Sequence, residues 1–429
     1  MRRNPFRAHL LPSLVASLLL LTALVMPFAS TQGARAADPI KLTFWNYWDG
    51  TNGEAMQALV DQWNKDHPDI QVENVFIGFN DLLPKLQAAA AGGDAPDLAE
   101  ADLIWMPKLA HSGAIVALDD LIPAAGGDLT AFYPALMQAG AYDGKQYGLP
   151  VSTNNLELFY NKELFTKAGL DPNKPPTTWD ELRQMAKQCT NAGEGISGME
   201  LFTEPGEGLT WQYQVYLWQA GGQFLSEDLK TAAFNSDAGK QALQFWVDLL
   251  QTDKSAPLAP WGQFGQGTAC MAMDGSWMVG GMSADPPFDF GTAAMPIPTG
   301  GKAATNMGGE QLVIFSQDQA KQAAAAQFMA WLTSPETQRT WDQQTGFMPI
   351  TEAGATDQTY LDWVKTNLPA LMPFVENQKN AVNRPPVTNY PEISDAFSRE
   401  LEKALLGAAT VDEALAAAEN AVNGLLASS

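Results

Sequence analysis

Ile40-Lys41-Leu42-Thr43-Phe44-Trp45 alternates in polarity, with Ile40, Leu42 and Phe44 facing one way. That period predicts a half-buried strand. Met56, Leu59, Val60 and Trp63 then recur at helical spacing between residues 54 and 66, and His67-Pro68-Asp69 stops the helix. A second strand is expected over residues 70–76 and a helix over 81–91 that ends on Gly92-Gly93. A short buried strand follows at Pro96-Asp97-Leu98-Ala99. Strand, helix, strand, helix is the order of a parallel α/β sheet, in which each apolar strand face needs a covering helix.

The same order runs on downstream. Thr178-Trp179-Asp180-Glu181 and Thr410-Val411-Asp412-Glu413 are capping boxes, in which hydroxyl and carboxylate each satisfy a free backbone N–H. Ala242, Phe245, Trp246, Leu249 and Leu250 line one helical face. Residues 311–315 read as a strand and 321–332 as a helix stopped by Ser334-Pro335. No repeat of solenoid period and no low-complexity linker divides the chain.

At the amino terminus, Arg2, Arg3 and Arg7 precede an almost purely apolar run over residues 10–28, and Ala34-Arg35-Ala36 fits a small-x-small cleavage site. Together they predict a signal peptide over residues 1–36 and export to a periplasm or the exterior. Retention of this stretch as a membrane anchor is the alternative. No Cys follows the apolar run to take a lipid, and no later segment has the ~18 consecutive apolar residues of a spanning helix. Cleavage leaves about 390 residues, more than one typical core, which predicts two domains between which the chain crosses more than once. It also removes four Arg and no acid, so the net charge of −23 becomes more negative still. Such a surface excludes nucleic-acid binding, which needs Lys and Arg to displace counterions, and serves solubility.

Cys189 and Cys270 leave pairing open, and two buried thiols are the favoured reading. After cleavage only His67 and His111 remain, with no H-x-x-x-H or C-x-x-C spacing, so no metal or other cofactor is expected.

Several ordered segments carry a resemblance. They are Phe44-Trp45-Asn46-Tyr47-Trp48-Asp49-Gly50, Ala95-Pro96-Asp97-Leu98, and Tyr147-Gly148-Leu149-Pro150 leading to Tyr160-Asn161-Lys162. Further on come Ala168-Gly169-Leu170-Asp171-Pro172, Asp274-Gly275-Ser276-Trp277 and Thr345-Gly346-Phe347-Met348-Pro349. As a set they resemble the extracellular solute-binding proteins of bacterial ABC importers, in the cluster of maltose, oligosaccharide and glycerol-3-phosphate binders. The resemblance implies a type II periplasmic-binding-protein fold: two α/β lobes joined by a multi-crossing hinge, with the ligand in the cleft. It implies no catalysis. The lobes are expected at residues 37–150 with 299–346, and 151–298 with 347–429. Crossings are expected near residues 149–153, 295–298 and 346–350. Hinge closure on a small-molecule sugar, by a protein acting as a monomer, would present it to the permease subunits.

A sugar has apolar C–H faces that stack on aromatic rings and hydroxyls that both donate and accept. Aromatic residues beside acids in polar loops are therefore candidates. Trp48 and Asp49 follow the first strand, where α/β proteins place ligands. Glu207 and Trp211 lie where the resembled proteins have acidic and aromatic sugar contacts, and Trp277 matches a stacking tryptophan. Asn154 and Asn155 suit hydroxyls, and Asp102 follows the third strand. Gly309 and Glu310 precede a strand where backbone can approach a ligand. Phe347 and Tyr390 complete the set. Phe347 stands where the glycerol-3-phosphate binders have a ligand tyrosine, and Ser394 or Asp395 where they have a ligand arginine. A phosphate wants Arg, Lys or a helix start, so this departure favours a neutral di- or oligosaccharide. Arg384, the one basic candidate nearby, keeps glycerol-3-phosphate, a glycerophosphodiester or a polyol as the alternative. A secreted glycosidase would need two carboxylates set across a bond and is the less favoured reading. No G-x-S-x-G elbow, metal motif or cofactor loop is present.

Overall fold

The strand Ile40–Asn46 buries Leu42, Phe44 and Asn46 on one face, as its alternation requires. It pairs in parallel with Ile70–Phe76 on one side and Leu98–Asp102 on the other. Between the first two runs the helix Gly50–Asp66, which buries Met56, Leu59, Val60 and Trp63 on this sheet. The computed structural model describes residues 38–428, so the expected export signal over residues 1–36 lies outside them. Among the described residues no helix is long and apolar enough to cross a membrane.

The first sheet has the order Ile70–Phe76, Ile40–Asn46, Leu98–Asp102, Gly308–Ile314, Leu149–Asn154. Gly308–Ile314 runs antiparallel to both its neighbours and places Glu310 opposite Asp102. Its register shifts between Glu310 and Gln311, and Gly309 beside the shift has φ +149. A Cβ on Gly309 would stand 2.5 Å from the Ser152 carbonyl, so only glycine fits there. Phe44, Trp63, Leu312 and Phe328 form the core behind this sheet.

The second sheet is smaller, with Leu156–Asn161 central and antiparallel to both Met271–Gly275 and Phe290–Ala293. The helices Trp179–Cys189, Glu207–Gln219 and Tyr390–Leu405 pack one large core with Phe165, Trp179, Tyr213, Trp246 and Phe397. Both expected capping boxes form, at Thr178–Glu181 and Thr410–Glu413. Only Asn155 separates Leu149–Asn154 in the first sheet from Leu156–Asn161 in the second. The first sheet thus keeps residues 151–154, beyond the boundary expected at 150, because the ladder to Gly308–Ile314 continues to Asn154. Thr153 is where other segments meet this crossing. Its carbonyl accepts from Met348 N at 2.9 Å, and its hydroxyl donates to Gly308 O at 3.1 Å.

Cys189 and Cys270 form a disulfide, which corrects the reading of two thiols. It ties the end of the helix Trp179–Cys189 to the residue before Met271–Gly275 across 81 positions, a proximity that spacing does not reveal. Cross-linking a loop of that length restricts the unfolded chain. Replacing both cysteines by alanine is expected to cost roughly 2–4 kcal/mol in denaturant unfolding.

Glu157, fully buried in the central strand of the second sheet, accepts from Met295 N at 2.7 Å and Asn377 Nδ2 at 2.5 Å. Burial outweighs these two donors and pushes its carboxyl up to about 8. The folded protein therefore holds this proton more tightly than the unfolded chain, and stability falls as pH rises from the usual carboxylate range to about 8. The melting temperature of Glu157→Gln is expected to fall less between pH 6 and 8.5 than that of the wild type. Equal slopes would remove Glu157 as the source.

Candidate functional site

Parallel pairing brings the carboxyl ends of Ile40–Asn46 and Leu98–Asp102 to one edge of the first sheet, and the start of the antiparallel Gly308–Ile314 lies beside them. Tyr47, Glu100, Asp102, Asn154 and Glu310 converge at that edge, where open α/β sheets bind ligands. Tyr47 N donates to Glu100 Oε2 at 2.8 Å, and its hydroxyl donates to Glu310 Oε1 at 3.2 Å. Ile104 N donates to Asp102 Oδ1 at 2.9 Å.

The second wall comes from the helix Glu207–Gln219, the turn at Trp277 and the segment entering Tyr390–Leu405. Arg384 joins the walls: Nη2 donates to Asp102 and Nη1 to Glu207, each at 2.9 Å, with 3% of its side chain exposed. Ser394 Oγ and the Tyr390 hydroxyl also donate to Glu207, at 2.5 and 3.4 Å, and Gln214 Nε2 donates to the Tyr390 oxygen at 3.0 Å. The Trp211 and Trp277 rings stack 5.5 Å apart at 14°, and the Arg384 guanidinium lies 5.3 Å from the Trp211 ring centre. Asn306 Nδ2 holds the Trp211 carbonyl at 2.6 Å, and Asn52 Nδ2 reaches the Trp277 carbonyl at 3.3 Å. A cavity of 260 Å³ adjoins Arg384, lined among others by Leu103, Gln138, Trp218, Met307 and Pro385.

Four buried carboxyls thus face one guanidinium. Burial pushes Glu310 up to about 8, with the Asp102 charge adding to it. Burial and then Glu310 raise Glu100 well above the ordinary range. Burial also raises Asp102 and Glu207, but Arg384 opposes the rise in both. Burial works against the Arg384 charge, yet Asp102 and Glu207 outweigh it and hold the guanidinium protonated. Near neutral pH Glu310 is therefore largely a neutral acid that can both donate and accept. Glu100 Oε1, Asn154 Oδ1, Glu310 Oε2 and Trp211 Nε1 are buried without a hydrogen-bond partner, polar capacity that a hydroxylated ligand can satisfy.

Of the residues singled out from the sequence, Asp102, Asn154, Glu207, Trp211, Trp277, Gly309, Glu310 and Tyr390 gather here. Trp48 does not. It is buried in the first core between Phe44 and Trp341, at ring distances of 6.3 and 5.0 Å. Phe347 stacks on the same Trp341 at 5.4 Å and is core as well. The Trp48 expectation rests on its polar loop and the Phe347 expectation on its place in the resembled binders, and the backbone directs both rings into the first core. Asp49 is exposed ahead of the helix Gly50–Asp66. Asn155 Nδ2 donates to Phe374 O at 3.0 Å and Gln378 Oε1 at 2.7 Å, within the crossing. Sequence reading missed Tyr47, Glu100 and Asn306, and Arg384 as the link between walls. A glutamate inside the buried run Leu98–Asp102 was a usable signal, since an acid is seldom fully buried without a partner.

Residues 47–339 match the family described as bacterial extracellular solute-binding protein. The sn-glycerol-3-phosphate-binding periplasmic protein UgpB of Pectobacterium atrosepticum is 27% identical over 418 residues, covering 92% of each chain. The cyclic alpha-maltosyl-1,6-maltose binding protein of Arthrobacter globiformis is 46% identical, with 91% of this chain and 100% of that one covered and a TM-score of 0.79. A solute-binding protein of Thermotoga lettingae, solved with alpha-D-tagatose, is 30% identical over 90% of this chain and 100% of its own, with a TM-score of 0.81. The chain belongs to the bacterial extracellular solute-binding proteins, the substrate-binding components of ABC importers, and has their two-lobed type II fold.

Proposed function

We propose that this protein binds a neutral di- or oligosaccharide outside the cytoplasm by closing its two lobes on it, and delivers it to a permease without altering it. The observation that carries the reading is the state of Arg384. Its two terminal nitrogens are already engaged by Asp102 and Glu207, which leaves Nε without a partner, so it offers a phosphate no free two-pronged grip. Around it stand what sugars use: the indoles of Trp211 and Trp277, and buried oxygens of Glu100, Asn154 and Glu310 without partners. Both rings stand on the second wall, and their apolar faces and edges are what a sugar's C–H faces pack against. The likeness to the Arthrobacter protein, named for a cyclic maltosyl-maltose, supports the carbohydrate class. The UgpB relatives favour a glycerol phosphate instead, which makes phosphate esters the second reading.

A thermal-shift panel separates the two, because a ligand that binds only the folded state raises its melting temperature. Maltose, maltotriose and cyclic alpha-maltosyl-1,6-maltose are expected to raise it, and glycerol-3-phosphate and glycerophosphocholine to leave it unchanged. A shift with the phosphate esters alone overturns the carbohydrate reading. Chromatography of the incubated sugars is expected to show them unaltered.

Arg384→Ala leaves Asp102 and Glu207 as buried carboxyls with their shared cation gone. Sugar affinity at pH 7 is expected to fall by about tenfold or more. Both carboxyls already stand above their ordinary range, and without Arg384 protonation relieves their mutual repulsion. The loss is therefore expected to shrink in titration calorimetry at pH 5.

A further inference from the structure

Beside Trp277 lies an aromatic pair that the cleft does not absorb. Phe202 and Trp261 stack 5.9 Å apart at 9°, a near-parallel arrangement. Trp261 is 42% exposed, whereas Trp211 and Trp277 cover each other. Its indole N–H donates to Asp274 Oδ2 at 2.8 Å, three residues before Trp277. Phe202 lies against the first turn of the helix that carries Glu207 and Trp211: a Cβ on Gly208 would stand 2.7 Å from its ring. The pair therefore continues the second wall of the cleft on two sides, at Asp274–Trp277 and at Glu207–Trp211.

Its loop is fixed in place. The Glu200 carboxylate accepts from the backbone N–H groups of Gly262, Gln263 and Phe264, the last two at 2.9 and 2.7 Å. A large ring on an exposed loop exacts a cost in apolar exposure, and here it is held in one orientation by three amides below and one carboxylate at its edge. A ring fixed in this way binds without first being ordered. Glu204, exposed two residues after Phe202, adds a carboxylate suited to hydroxyls.

We propose that Phe202 and Trp261 form a second carbohydrate-stacking platform at the rim of the cleft, holding a further pyranose ring of the ligand whose first rings sit at Trp211 and Trp277. The platform rests on the carbohydrate reading above and deepens it. It makes the protein selective for chain length, because the first rings occupy the indoles of the cleft and only a longer sugar has a ring left for the rim.

Titration calorimetry with maltose, maltotriose, maltohexaose and cyclic alpha-maltosyl-1,6-maltose tests it. Trp261→Ala is expected to weaken the longest sugar by about tenfold, the size of one lost stacking contact, while maltose affinity stays within about twofold. Trp261→Phe keeps a ring and is expected to restore most of the loss, which a merely structural defect in the loop would not do. Trp277→Ala is expected to weaken all lengths alike. Equal losses for short and long sugars with Trp261→Ala, or none, overturn the platform and leave the carbohydrate reading standing. A wild type that binds none of the four sugars removes the carbohydrate reading, and the platform with it.

Discussion

Arg384 is a cation with almost no exposure, held between an acid at the end of a first-sheet strand and an acid at the start of a helix on the other wall. Desolvating such a charge costs several kcal/mol. It persists because two carboxylates and the Trp211 face surround it. The bridge from Asp102 through Arg384 to Glu207 is complete only while both walls stand together, since each acid takes a different terminal nitrogen. The Trp211 ring lies 5.3 Å from it and stacks in turn on Trp277.

One guanidinium does not balance four carboxyls. The surplus is met by protonation rather than by more cations: Glu310 is pushed up to about 8, and burial with the Glu310 charge raises Glu100 in the same direction. A neutral carboxyl offers one donor and a remaining acceptor, the complement of a hydroxyl, whereas a carboxylate only accepts. The crowding that looks like an electrostatic fault thus leaves Glu310 able to donate as well as accept.

The fold was legible because it rests on periodicity. Ile40–Asn46, Gly50–Asp66 and both capping boxes repeat patterns that any core of this kind imposes. The site was legible only in part, because a residue type says what a side chain can do and not where it points. Trp277 and Trp48 both follow a strand beside an aspartate, yet one stacks in the cleft and the other fills the core beside Trp341. Arg384 was visible as a basic residue, but its partners lie 282 and 177 positions away. A separation of 81 positions likewise hid the disulfide. Contacts of that span are made by topology, and local pattern carries no trace of them.

The single residue between Leu149–Asn154 and Leu156–Asn161 makes the link between the lobes taut. Both flanking strands are committed to ladders, so the chain there has no slack to lend. The lobes cannot drift apart as beads on a string. Any turn of one sheet against the other has a fixed point close to Asn155, and a small rotation there would sweep a long arc far from it.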